Sequence, residues 1–198
     1  PLQYHYLKRP YTLISATSEA VPVPRYLDAQ GGELPADAPV AQIAHSVYEI
    51  RIRPGIRYQP HPAFATDSAG EPLYRDLSRE HLRAIETLAD FPATGSRELV
   101  ADDYIYEIKR LAHPRLHSPI FSMMAGRIVG LRELGAALQA EAKNLPAGAW
   151  LDLDRFPLTG VTRVDRYTYR ITLRGKYPQF AYWLAMPFFA PVPREVDR

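Results

Sequence analysis

Two stretches of the chain alternate regularly between apolar and polar positions. The first, SVYEIRIRPGIRYQP, has apolar residues at every second position from Tyr48 to Ile52 and again from Ile56 to Tyr58. This period of two is typical of a half-buried β-strand. Between the two runs, Pro54-Gly55 supplies the fixed φ and the positive φ of a type II turn. The pattern predicts a β-hairpin.

The second alternating stretch is VTRVDRYTYRITLRG, residues 161–175. Tyrosine, isoleucine and leucine occupy every second position from Tyr167 to Leu173, and threonine and arginine fill the positions between them. Asp165-Arg166 is the predicted turn of this second hairpin. In both hairpins we expect the tyrosines to face a core and the arginines to face water.

Three segments between the hairpins have helical spacing. Leu77–Asp90 is one candidate, with Ser78 as its N-cap. Residues 101–112 are a stronger one, since apolar residues recur at i, i+3, i+4 and i+7, acids begin the segment, bases end it and Pro114 follows. Arg132–Lys143 is a third, weakened by Gly135. Helices between antiparallel hairpins predict an α+β fold: one domain over residues 1–198, with helices packed on an antiparallel sheet.

Composition narrows the possible chemistry. The 198 residues have a formal net charge of +2, 46% hydrophobic residues and no cysteine, which suits a globular domain and excludes disulfides and thiol catalysis. The chain begins with Pro1 and shows no leader of charged and then apolar residues, so we expect an excerpt or a processed product.

No arrangement of residues predicts a reactive centre. His113 and His117 have the spacing of a zinc-binding helix, but Pro114 lies between them and the glutamate of an HExxH motif is missing. Asp152 and Asp154 would share one face of a strand, which we interpret as a solvated edge. No nucleophile motif, phosphate-binding loop or RNA-binding signature is present. We therefore predict no catalytic residue, metal, cofactor or nucleic-acid partner.

An aromatic and proline-rich segment, KYPQFAYWLAMPFFAPVPREV, occupies residues 176–196. Its longest proline-free run after residue 178 has eight residues (179–186), far fewer than the roughly 20 that cross a bilayer. The segment predicts a short helix followed by a stiff aromatic stretch that packs against protein.

Two blocks, in order, resemble the family 5 extracellular solute-binding proteins of peptide and nickel ABC transporters. ELVADDYIYEIKRLAHPRLHSPIFSMMAGRIVG (98–130) is similar to that family's L-T-A-E-D-V-x-Y-S-x-K-R-L helix and the D-P-x-x-x-S-P loop after it. LTGVTRVDRYTYRITLRGKYPQFAYWLAMPFFAPVPREV (158–196) resembles its I-x-G-I-x-V-x-D-x-Y-T-v-x-I-x-L segment and the S-P-V-P-K-E stretch. The starting stretch PLQYHYLKRPYTLISATSEA and the first hairpin also resemble family segments, so the likeness covers most of the chain.

The chain departs from the family pattern at three places. Gln59-Pro60-His61-Pro62 replaces the histidine-aspartate-glycine that follows the hairpin. Residues 63–97 form an insertion that typical members lack. Val100 stands where a threonine caps the helix, a change that costs about 1 kcal/mol on the usual N-cap scale.

The resemblance implies a non-enzymatic part of a two-lobed periplasmic or membrane-anchored protein, with the fold of a periplasmic-binding-protein subdomain. Its expected partners are a peptide or another small solute, the permease of the transporter and the remainder of the same binding protein. The matching loop places Ser118, Phe121 and Met123 near the cleft, with Phe121 facing the ligand. Phe188 and Phe189 would lie against the absent remainder, so we expect both rings to be unusually exposed, or to be covered by a crystal neighbour or a dimer partner. The alternative is a stand-alone interaction domain that docks a partner through exposed aromatics.

Overall fold

A computed structural model describes residues 1–75, 77–146 and 148–197, which divide into two compact units. The first unit comprises Pro1–Arg53 and Val100–Val192, and the second Pro54–Leu99 and Pro193–Arg198. The strands are β1 Leu2–Tyr4, β2 Leu13–Ser15, β3 Arg25–Leu27, β4 Glu33–Leu34, β5 His45–Arg51, β6 Val161–Arg163 and β7 Thr168–Arg174. The helices are α1 Arg79–Arg83, α2 Ala101–Arg110, α3 Phe121–Ala125, α4 Leu131–Asn144 and α5 Phe180–Trp183. Within the described ranges, no helix has the length and apolarity needed to cross a membrane.

The first unit is built on a five-stranded antiparallel sheet in the order β4-β3-β5-β7-β6. Its centre is the pair β5–β7, where Tyr48 lies opposite Ile171 and Ile50 opposite Tyr169. All four side chains are at most 1% exposed, whereas Glu49 is exposed, as its alternating position requires. The α+β class, the antiparallel sheet and the inward face of the tyrosines are confirmed.

The first predicted hairpin is wrong in its pairing, although its turn forms. Gly55 has the predicted positive φ, 84°. After the turn, however, the chain does not return along β5: the carbonyl of Ile56 accepts a hydrogen bond from Leu99, and Arg57 pairs with Glu98. β5 pairs instead with β3 and β7. Alternation of apolar and polar residues predicts a strand with one buried face, but it does not predict which strand pairs with it, because that depends on segments distant in sequence.

Helix α2 forms as predicted and packs on β6 and β7. Tyr104 stacks on Tyr169 with ring centroids 5.2 Å apart and an interplanar angle of 11°. The side chain of Val100 makes no capping hydrogen bond, and the carboxylate of Asp103 accepts one from the backbone N–H of Val100 at 3.0 Å. The helix therefore has half of a capping box.

The predicted helix Leu77–Asp90 is only five residues long. Ser78 caps α1 as expected, accepting from the N–H of His81, but the helix ends at Arg83 and a separate 3-10 turn follows at Leu88–Asp90. The Asp90 carboxylate accepts from the N–H groups of Glu86 and Thr87 and starts that new turn. These local capping hydrogen bonds thus interrupt the helix that the apolar spacing predicts.

Asp152 and Asp154 lie at a 3-10 turn, Leu153–Arg155, and not on a strand. The side chain of Asp152 accepts from the N–H of Asp154 at 3.1 Å, so Asp152 acts as the N-cap of the turn. The buried Leu153 between them anchors the turn. This corrects the prediction of two carboxylates on one strand face.

The second unit contains nearly all of residues 63–97, the predicted insertion, whose status as an insertion stays a prediction. Arg97 organises its centre. The guanidinium lies 5.3 Å from the ring centroid of Tyr58 and 5.4 Å from that of Phe64, and it donates to both carboxylate oxygens of Glu195 at 2.6 and 2.7 Å. This bidentate pair ties the C-terminal segment to the rest of the unit.

Candidate functional site

Residues 176–192 of the aromatic and proline-rich segment pack within the first unit. Phe180 of α5 is fully buried, and its ring lies 5.2 Å from Tyr48 and 5.5 Å from Phe189. Phe189 is 2% exposed and Phe188 is half-buried. The expectation that both rings are exposed is therefore wrong: the 3-10 turn Pro187–Phe189 directs Phe189 onto Phe180.

This packing joins the two ends of the first unit. β1 pairs with β2 in an antiparallel ribbon in which Tyr4 lies opposite Leu13. The N–H of Leu2 donates to the carbonyl of Leu184 at 3.2 Å. As a result, Tyr4 stacks near Tyr182, with centroids 6.2 Å apart and rings 24° from parallel.

A cavity of about 450 Å³ opens beside this junction. We call it the tyrosine cavity; it is lined by Tyr4, His5, Tyr6, Arg9, Tyr11 and Tyr182. Its volume lies within the range of small-molecule sites. Tyr6 is 87% exposed and Tyr11 65%, so a large aromatic surface is in contact with solvent.

The loop between β1 and β2 positions the lining. The backbone N–H groups of Leu7 and Lys8 both donate to Nδ1 of His5 at 3.2 Å, and the N–H of His5 donates to the carbonyl of Thr12 at 2.7 Å. Because Nδ1 accepts, the other ring nitrogen of His5 carries the proton in this arrangement.

Aromatic contacts continue through this loop. The ring of Tyr11 meets the edge of Tyr4 at 5.8 Å and 68°. Tyr11 also contacts Arg9: the guanidinium carbon lies 4.7 Å from the centroid of the Tyr11 ring, which is a cation–π distance. The cavity thus offers ring faces for stacking, hydroxyl groups for hydrogen bonds and one cation.

The three site residues predicted from sequence lie at α3, and none is among the residues that line the tyrosine cavity. Met123 is 52% exposed. The hydroxyl of Ser118 is buried and has no hydrogen-bond partner among the described residues. Phe121 is half-buried against α4, where a Cβ added to Gly135 would come within 2.3 Å of its ring. Their role in binding stays a prediction.

His113 and His117 lie in the loop before α3 and contribute to its conformation. Nδ1 of His113 accepts from the N–H of Arg115 at 3.1 Å, and His117 has a φ of 49°. Among the described residues, no group of three histidine, aspartate or glutamate side chains is arranged to hold a metal ion.

Comparison with known proteins gives a fold and not a family. No family model and no curated protein matches the chain. Among solved structures, the peptide-binding pheromone receptor PrgZ matches with a TM-score of 0.50 and 15% identity. OppA of Listeria monocytogenes bound to peptide matches with a TM-score of 0.48 and 15% identity.

Both matches cover 98% of this chain but only 25% of the other, so the chain spans about a quarter of the length of these neighbours. The fold is that of a mixed, antiparallel-sheet subdomain of a periplasmic-binding-protein-like architecture. Both of these neighbours bind peptides.

Proposed function

We propose that this chain is part of a family 5 solute-binding protein that captures peptides outside the cytoplasm and delivers them to an ABC-transporter permease. The observation that carries the proposal is the fold likeness to PrgZ, which extends over 98% of the chain. The collinear motif resemblance of residues 98–130 and 158–196 supports the same family. The chain itself acts by binding, without catalysis.

The tyrosine cavity would supply the aromatic portion of the peptide site. Its rings can cover apolar side chains, and its hydroxyl groups can exchange hydrogen bonds with peptide amides. Ser118, Phe121 and Met123 would contribute from α3, as the family resemblance implies. In two-lobed proteins the ligand is buried by hinge closure, so the remainder of the binding protein would supply most of the affinity.

Titration of the ¹⁵N-labelled chain with a di- to pentapeptide pool tests the proposal by NMR. Since one lobe buries only part of a ligand, we expect dissociation constants of about 1 mM or weaker. The two tryptophans give separate indole signals. That of Trp183, which donates to Tyr177 and follows the cavity residue Tyr182, should shift, and that of Trp150 should not.

Maltotriose and a nickel–histidine complex are the matched non-peptide ligands. A response to either one, with none to peptides, would refute the peptide assignment. Micromolar peptide affinity of chain 1–198 would contradict the proposal that this chain forms only part of the binding cleft.

The second candidate is the stand-alone interaction domain. The observation in its favour is the exposure of Tyr6 and Leu7, at 87% and 76%, since adjacent exposed apolar residues often mark protein contacts. The length of the open reading frame separates the two candidates: the solute-binding proposal requires coding sequence for a second lobe.

A further inference from the structure

The residues that line the tyrosine cavity carry a positive charge and no negative one. The lining includes the cation of Arg9 and no carboxylate. The sequence extends this asymmetry: residues 1–18 contain Lys8 and Arg9 but no aspartate or glutamate, and residues 176–193 contain no acid either. Both segments that form the cavity therefore favour a negatively charged ligand.

Arg9 has no carboxylate within ion-pair distance among the described residues. Other arginines of the chain do: Arg170 pairs with Glu49 and Arg97 with Glu195, both at 2.6 Å. The recorded contacts of Arg9 are one hydrogen bond from Nη1 to the carbonyl of Lys8, at 3.1 Å, and the ring of Tyr11. Its charge is thus not neutralised by any carboxylate of the part of the chain that the structure describes.

The contact with Tyr11 holds this charge beside an aromatic ring, with the guanidinium carbon 4.7 Å from the ring centroid. A guanidinium has five N–H donors in its plane, and one of those of Arg9 is used by Lys8. Two of these donors can bind a carboxylate with two hydrogen bonds. Arg9 is exposed, so its other donors are accessible to a ligand.

We infer that the tyrosine cavity binds a peptide residue that carries an aromatic ring next to a carboxylate, with the carboxylate on Arg9 and the ring among the tyrosines. The favoured source of the carboxylate is the C-terminus of the peptide, where an aromatic last residue places both groups on one residue. This inference rests on the proposed peptide-binding function and specifies the class of peptide.

The test compares N-acetyl-Ala-Phe with a free carboxylate and the same peptide as its C-terminal amide. Both are titrated against the ¹⁵N-labelled chain at low salt, with the amides of residues 2–12 as the readout. We expect the free acid to bind about fivefold more tightly than the amide, the upper end for an exposed ion pair. The preference should fall as salt is added.

Variants assign the preference to a residue. Arg9→Gln should remove the difference in affinity between the acid and the amide. Arg132→Gln, at an exposed position of α4, should keep the full preference and serves as the matched control. Both changes are on the surface, and unchanged thermal melts would show that folding is intact. Retention of the acid preference in Arg9→Gln would overturn the inference.

Further peptides separate the other outcomes. N-acetyl-Asp-Phe amide carries its carboxylate on a side chain, and if it binds as tightly as the free acid, the C-terminus is refuted as the favoured source. Equal binding of acid and amide would overturn the inference and leave the peptide function standing. Binding of neither would overturn both. Sedimentation of the chain with anionic phosphatidylglycerol vesicles, combined with no acid preference, would assign Arg9 to a membrane surface instead.

Discussion

Replacing Gly135 by alanine should destabilise the protein, contrary to the usual effect of this change in a helix. Within a helix, alanine is favoured over glycine by about 1 kcal/mol. In α4, however, the new Cβ would lie 2.3 Å from Cζ and 3.0 Å from Cε2 of Phe121, well inside van der Waals contact. Overpacking of this kind costs about 1–3 kcal/mol. The net change is a loss of about 0–2 kcal/mol, from these two terms.

Removal of the Phe121 ring should reverse the sign of the stability change caused by Gly135→Ala. In the Phe121→Ala background the obstacle is absent, and Gly135→Ala should then stabilise the protein by about 1 kcal/mol. The coupling energy between the two positions is accordingly about 1–3 kcal/mol. Ala136→Gly, at the adjacent exposed position of α4, is the control, since it should cost about 1 kcal/mol in both backgrounds.

Urea unfolding of the four variants of the cycle, followed by circular dichroism at pH 7, measures these differences. If Gly135→Ala stabilises the protein equally with and without the ring, Phe121 moves aside at no cost and the packing argument is refuted. That result would also favour Phe121 as a side chain free to meet a ligand. A large coupling would show that its first role is to fix α3 on α4.

Three further predictions concern stability, each measured by urea unfolding. Val100→Thr should stabilise the protein by about 1 kcal/mol by adding the missing side-chain cap, and no gain would show that the N-terminus of α2 is already satisfied. Burial raises the pKa of Glu195, but its hydrogen bonds and its charge interaction with Arg97 lower the pKa by more than burial raises it, so the net shift is downward. The ion pair should therefore stabilise the protein by about 1 kcal/mol above pH 4.5, and this stabilisation should be lost as the pH falls below that value. Glu195→Gln should remove this dependence, and an unchanged acid limb would refute it. Phe189→Ala should cost about 3–5 kcal/mol and Phe188→Ala clearly less, whereas equal costs would contradict the burial difference.

The elements that the sequence predicts correctly depend on local signals. Helix α2 shows its apolar period, its acidic start and its proline stop within one segment. Strand β7 shows its alternation from Tyr169 to Leu173, and those positions are buried as the pattern requires. In each case the residues that specify the element are also the residues that compose it, so one sequence suffices.

The errors arise where distant residues compete. Residues 56–58 keep the alternation of a strand, yet their partners are distant in sequence: the carbonyl of Ile56 accepts from the N–H of Leu99, and the N–H of Tyr58 donates to the carbonyl of Arg97. The helix predicted from Leu77 onward is interrupted by the capped 3-10 turn that ends at Asp90. Its apolar spacing does not stabilise a longer helix, because Leu82 and Leu88 are 52% and 59% exposed and are not packed in a core. Helical spacing without burial gives little stability.

The tyrosine cavity could not be predicted from a pattern, because the chain uses tyrosine in two ways. Tyr104 and Tyr169 are core residues, and burial raises the pKa of Tyr104 to about 12. Tyr6 and Tyr11, in contrast, stay open to solvent. The alternation of Tyr4 and Tyr6 is a weak signal that was present in the sequence.

A long-range hydrogen bond, from the N–H of Leu2 to the carbonyl of Leu184, helps to bring these residues together as a cavity. It places α5 beside the first strand and brings Tyr182 to Tyr4. The aromatic C-terminal segment therefore has two faces: Phe180 and Phe189 complete the core, and Tyr182 extends the open aromatic surface. Since a stretch that served packing alone would bury all of its large rings, the exposure of Tyr182 among solvent-facing tyrosines is the feature that favours a ligand at this end of the unit.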